Sequence, residues 1–298
     1  MGIIENVKNK ICKNTITSTD DMINKFIAFM IEKGLARLHL QLIPDESKTC
    51  TVFSSKLGGV PYMPSDFKYP KRSDGEPLRL LCQLNFEELP PIKPFPEKGI
   101  LQIYLYDGGK IDLLDYQGSE FEQDNFRIVY FDDIIREENK LKGADELPVF
   151  NNSVFPTVRE RMLVPKVPAG GIICSSDYRF DETVLEFAKK YKICPKGTAS
   201  VMDIPNDADE PLYNQFTYYG FNGIGGNGVF TERDPRKDFP QYRDCDICLF
   251  SLGDIELTSP EDDEIYVKTD GRLNFLMPSE NLIKKDFSRV LFDMSVDI

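Results

Sequence analysis

A Gly-Gly turn followed by three apolar, strand-length runs occurs twice along this chain, in the same order. Gly58-Gly59-Val60-Pro61 is echoed by Gly225-Gly226-Asn227-Gly228, and Leu81-Cys82-Gln83-Leu84 by Leu249-Phe250-Ser251-Leu252. Gly99-Ile100-Leu101-Gln102-Ile103 has its counterpart in Gly271-Arg272-Leu273-Asn274-Phe275, and the run from Phe126 to Asp132 in that from Phe287 to Asp293. The four offsets lie between 161 and 172 residues. One such match carries no weight, because amphipathic strands resemble one another; four in one order predict a duplication. A unit of this length is no solenoid repeat, so the pattern predicts two related β-layers with pseudo-twofold symmetry around a shared core.

The remaining chain fits around these units. Ser18-Thr19-Asp20-Asp21 offers side-chain acceptors and negative charge to a helix start. Met22, Phe26, Phe29 and Met30 then recur at helical spacing, and Gly34 ends the run. After it, Leu38, Leu40 and Leu42 alternate with Arg37, His39 and Gln41, the pattern of a half-buried strand whose polar face meets solvent. Prolines 61, 64, 70 and 77 break the next stretch into turns. Strands are predicted over 78–86, 100–106 and 126–131; the proline-rich run from Pro90 to Pro96 cannot lie inside a central strand, since proline lacks the ladder donor. Only one strong helix is predicted in the second half, Asp181 to Tyr191. The expected architecture is therefore a β-rich α+β chain with an N-terminal helix and one mid-chain helix. It is read as a single domain over 1–298, with a helical segment 1–44, repeat one 50–132, a connecting excursion 133–219 and repeat two 220–294.

At 298 residues such a chain buries roughly 75% of its unfolded surface and needs no disulfide or structural metal. Against 36 Lys and Arg stand 49 Asp and Glu, a formal charge of −13. That field repels phosphate backbones, which argues against a nucleic-acid partner. The longest unbroken apolar run, Phe26 to Ile31, is far shorter than the roughly 20 residues a membrane helix needs. Met1 to Cys12 has neither an apolar core nor a small-residue cleavage site. Seven scattered cysteines, at 12, 50, 82, 174, 194, 245 and 248, suit reduced thiols. The expectation is a soluble, cytoplasmic protein.

The residues resemble the YwqG-like family, a bacterial domain family of unknown function. The resemblance is carried in the first half by Ser55-Lys56-Leu57-Gly58-Gly59-Val60-Pro61-Tyr62-Met63-Pro64, Leu80-Leu81-Cys82-Gln83-Leu84-Asn85-Phe86 and Lys98-Gly99-Ile100-Leu101-Gln102. The second half adds Ile224-Gly225-Gly226, Asp234-Pro235-Arg236, Gly271 to Phe275 and Asp286-Phe287-Ser288. The chain departs from the family pattern at Asn222, where members often carry His, and it has no tryptophan. The resemblance implies an architecture more than an activity. Neutralisation of a secreted toxin is one role it implies.

Several motifs bear on chemistry. Gly223-Ile224-Gly225-Gly226-Asn227-Gly228 fits G-x-G-x-x-G, but no helix can follow before Pro235, so a turn requiring positive φ is the better reading. Cys245-Asp246-Ile247-Cys248 leads into a strand without a second ligand pair, which reads as structural thiols. His39, the only histidine, rules out multi-histidine metal sites and is expected on a solvated strand face. Ser65-Asp66-Phe67-Lys68 fits S-x-x-K between two prolines, away from any helix. Two acidic clusters, Asp203 to Glu210 and Asp254 to Glu264, lack EF-hand spacing and read as solvated loops.

No catalytic residue, metal site or cofactor emerges. The function expected first is a non-catalytic interaction protein, an immunity-type antagonist taking a basic protein partner on Glu261, Asp262, Asp263 and Glu264, because acidic fields select and speed such encounters. The alternative is a small-ligand binder or enzyme with its site between the repeats. Its candidates are Gly58, Gly59, Gln83, Asn85, Gly225, Gly226, Asp234 and Arg236. For Gln83 and Asn85 the plainer expectation is the outward face of their strand.

Overall fold

The structure is a computed structural model that describes residues 15–107, 121–151, 155–157, 159–217, 221–231, 234–253 and 271–295. Helix α1, Thr19–Glu32, starts as its sequence demands: Ser18 is extended and its Oγ accepts from the Asp21 amide at 3.2 Å. Its apolar stripe buries Phe26 among Phe180, Phe187 and Phe216, with ring centroids 5.0 to 5.6 Å away. Phe180 and Phe187 lie on α2, Phe180–Tyr191, and Phe216 closes α3, Asn206–Gln215. These three helices form a layer with its own apolar core. The second mid-chain helix corrects the expectation of one: the acidic run from Asp203 to Glu210 is not a loop but a 3-10 turn, Val201–Asp203, followed by the start of α3. A short α4, Ser279–Ile283, completes the described helices.

The strands are β1 Arg37–Asp45, β2 Lys56–Leu57, β3 Arg79–Asn85, β4 Ile100–Leu105, β5 Phe126–Phe131, β6 Arg161–Pro165, β7 Ala169–Gly171, β8 Gly223–Gly225, β9 Ile247–Gly253, β10 Arg272–Met277 and β11 Leu291–Ser295. All pair antiparallel along the path β11-β10-β9-β8-β1-β6-β2-β3-β4-β5, with β7 added on β1. Strand β1 joins the two halves. His39 to Gln41 pair with β8, whereas Leu42 to Asp45 pair with β6.

The two ends of this path curl towards each other. Phe126 on β5 lies 5.7 Å from Phe275 on β10 and 5.5 Å from Phe292 on β11, ring to ring. Gln123 spans the remaining gap, donating to the Phe287 carbonyl while accepting from the Ile128 amide at 3.0 Å. The sheet is thus nearly closed around one main core drawn from both halves, and its terminal strands are covered rather than left as open templates.

Every residue of β4 and β10 is buried. Loops cover the outer face of each half, with Met63, Leu78 and Tyr104 in one outer cluster and Phe230, Tyr242 and Leu276 in the other. Strands covered on both faces lose the apolar–polar alternation, which is why these segments read as continuous apolar runs.

Candidate ligand-binding site

The alternation of β1 sends Leu40 and Leu42 into the core and leaves His39 and Gln41 together on the opposite face. That face is not open solvent. Register sets His39 opposite Gly225 of β8 on one side and Ala169 of β7 on the other. The chain crosses closely here: a Cβ on Gly225 would stand 2.5 Å from the Leu38 carbonyl oxygen, and Gly225 has φ +80°. Only glycine satisfies both demands. The turn then passes through Gly226, which is buried beside the His39 and Phe221 side chains.

The result is a cavity of about 350 Å³ between the sheet and the helical layer. The sheet side supplies His39, Gln41 and Gly226 to Val229; the helical side supplies Ile173, Cys174 and Phe216. The His39 imidazole lies against the Phe221 ring, centroids 4.6 Å apart and planes 33° from parallel. Burial lowers the His39 pKa from its ordinary value, so the ring is neutral at pH 7.

Most polar groups at the wall are already committed. Asn227 donates to the Leu35 carbonyl at 3.0 Å and accepts from Arg179 at 3.2 Å. The Thr217 hydroxyl donates to the Tyr213 carbonyl, and the Cys174 sulfur lies 3.0 Å from the Ser176 hydroxyl. Among the described residues, the imidazole of His39 and the carboxamide of Gln41 have no hydrogen-bond partner.

Behind this wall sits a buried ionic cluster. Arg236 and Asp234 are both fully buried. Arg236 donates Nε to Asp234 Oδ1 at 2.9 Å, Nη2 to Asp234 Oδ2 at 2.7 Å and Nη1 to the Cys245 carbonyl at 2.8 Å. Burial alone would lower its pKa, but the Asp234 carboxylate more than offsets that and holds the guanidinium charged. Asp177 adds a second carboxylate, itself paired with Arg179 at 2.7 Å. Arg236 also reaches the Asn227 carbonyl at 3.3 Å, and so anchors the loop that lines the cavity.

The candidates named from sequence therefore separate. Gly226 lines the cavity, Gly225 allows the strand crossing, and Asp234 with Arg236 brace the wall from behind. Gln83 and Asn85 do not lie on an outward face. Both are buried: Gln83 accepts from the Tyr62 amide at 2.8 Å and from Gln102 at 2.8 Å, and donates to the Val52 and Ser54 carbonyls. Asn85 donates to the Phe53 carbonyl at 3.0 Å. Together they pin the loop before β2 onto β3. Gly58 turns beside Thr157, and Gly59 lines a separate cavity of about 190 Å³ with Tyr69, Arg79 and Phe150. The two Gly-Gly turns thus face different cavities. Glu261, Asp262, Asp263 and Glu264 lie outside the described residues.

His39, Gln41 and Phe221 were not singled out as site residues from sequence. The alternation of β1 identifies the shared face of His39 and Gln41, but only the fold shows that helices cover it. Cys245 and Cys248 are buried, and burial pushes each thiol up to about 12. Among the described residues no cluster of three His, Cys, Asp or Glu side chains is placed to hold a metal ion, and no helix is long and apolar enough to cross a membrane. A family model with the description Domain of unknown function (DUF1963) matches residues 55–295. No curated protein matches the chain.

Proposed function

This chain belongs to the DUF1963 family, and from that premise we propose that it is a non-catalytic small-ligand-binding protein whose site is the cavity between β1, the second Gly-Gly turn and the helical layer. The observation that carries this reading is the pairing of two uncommitted hydrogen-bonding side chains, His39 and Gln41, in a cavity of about 350 Å³ whose other polar side chains are already hydrogen-bonded. Concave apolar sites with a few convergent polar groups are where small molecules bind. The test is a thermal-shift screen of a metabolite library. Hits should raise the melting temperature of the wild type and lose that effect in His39→Leu and Gln41→Leu. Hits that ignore both substitutions would move the site elsewhere.

The family membership is in keeping with the closer YwqG-like resemblance, and the duplication is part of the same proposal. Three features support it. Strands β2 to β5 and β8 to β11 follow one another in the same antiparallel order. Each unit opens on two glycines of positive φ, Gly58 and Gly59 in one, Gly225 and Gly226 in the other. Each also sets a buried polar pair at one register position, Gln83 opposite Gln102 and Ser251 opposite Asn274.

A second reading rests on the charge of −13: a cytoplasmic interaction protein that captures a basic partner through Glu261 to Glu264. Charge reversal of Asp262 and Asp263 should then slow association with that partner and flatten its salt dependence. An unchanged on-rate removes this reading without touching the cavity.

A further inference from the structure

We propose that the cavity at His39 selects an uncharged nucleobase or nucleoside and rejects the phosphorylated form. This rests on the cavity being a ligand site at all, and it adds the class of ligand.

Charge gives the first argument. Neither the sheet side nor the helical side contributes a charged side chain to the cavity lining. Burying a phosphate there would leave it without a counter-charge, and a net charge of −13 opposes its approach. A buried cation would likewise find no carboxylate. The occupant is neutral.

Shape and surface give the second. The neutral imidazole of His39 lies against the Phe221 ring, and both line the cavity together with Phe216. Such walls suit a flat ring, which stacks on aromatic faces without needing a particular edge. A volume of about 350 Å³ holds a bicyclic base with its sugar but not a folded peptide segment.

Hydrogen bonding gives the third and most specific. A carboxamide presents a donor and an acceptor in one plane, and it reads an adenine-type edge with two parallel bonds. Gln41 is uncommitted and free to do so. His39 sits two residues before it on the same strand face, about 7 Å away. As a neutral ring it offers one donor and one acceptor. Two such groups side by side on one strand face suit the row of donors and acceptors along one side of a base better than they suit a lipid or an aliphatic acid.

The experiment is isothermal calorimetry on the full chain with adenosine, guanosine, cytidine and uridine, their free bases, and the matching 5′-monophosphates. A parallel set of neutral, non-aromatic amides and polyols is titrated too. At least one base or nucleoside should bind one-to-one, its monophosphate at least tenfold more weakly. Gln41→Leu should weaken it tenfold or more, with the unliganded melting temperature within a few degrees of wild type. Binding should also weaken as pH falls and His39 takes up a proton, at a pH below the ordinary imidazole range, because burial lowers its pKa. Amides or polyols that bind and respond to Gln41→Leu, with no base or nucleoside binding, would overturn the ligand class and leave the cavity reading intact. No binding in either set, up to millimolar concentration, would overturn both.

Discussion

At the scale of single residues, some polar groups drawn into the fold hold it together, and the half-buried Asp293 works against it. Arg236 belongs to the first kind. Replacing it by Met keeps most of the volume but leaves Asp234 in the interior without its partner. Breaking one side of a buried pair costs about 3–5 kcal/mol, so Arg236→Met should lower the urea midpoint sharply. Asp293 on β11 is the opposite case. Burial pushes its carboxyl up to about 7, and the Asn274 amide, 3.4 Å away, only partly opposes this. The folded state therefore holds the proton more tightly than the unfolded chain does. The site favours folding most at acid pH, and that contribution is lost as pH rises from about 4 to about 7. Asp293→Asn should remove the loss and stabilise the protein by roughly 1–2 kcal/mol at pH 8, with little change at pH 4. Equal effects at both values, read from urea titrations, would show that folding does not raise the pKa of this carboxyl.

At the scale of elements, the strands were legible and the helical layer only in part. Ser18, Asp20, Asp21 and the Met22–Phe26–Met30 stripe announce α1 plainly. Helix α3 could not be read, because Pro211 lies inside it, its first turns are acidic and Leu212 is its only buried residue. Its partners on α1 and α2 hold it as a helix against weak local preference. The strands β3, β4, β9 and β10 show as apolar runs, but alternation alone places Gln83 and Asn85 on the wrong face, for a specific reason. Alternation assigns a polar residue to solvent only when one face is open, and here loops cover that face. The closure of the sheet was not visible either, since it depends on contacts between residues some 150 positions apart in the chain, such as Phe126 with Phe275. That closure is testable. Phe126→Ala removes a buried ring from the meeting point of β5, β10 and β11 and should cost about 3–5 kcal/mol. Hydrogen exchange should then quicken on β5 and β11 together rather than on β5 alone.

At the scale of the whole molecule, the family match and the folding unit do not coincide. The match begins at residue 55, after α1 and β1. Yet β1 is the strand between β8 and β6, and α1 covers Phe180, Phe187 and Phe216. A fragment of residues 55–298 should lack cooperative unfolding and bind hydrophobic dyes, because both sheet halves lose their common neighbour. A well-folded fragment, judged by a sharp thermal transition, would show that β8 and β6 pair without β1. The candidate site follows the same logic. Two of its polar residues come from β1, its glycine turn from the end of β8, and further lining from the segment after β7 and the end of α3. No contiguous motif therefore marks it in the sequence.

The central position of β1 also sets a timetable for synthesis. The strand leaves the ribosome before its neighbours, which are β6, near residue 165, and β8, near residue 225. At translation rates of about 5–20 residues per second, β1 waits roughly 10 to 40 seconds for the second of them. During that interval Leu38, Leu40 and Leu42 form an apolar strand edge with no mate. A nascent chain in that state is a substrate for chaperones that hold exposed strands, and its release should await synthesis of β8.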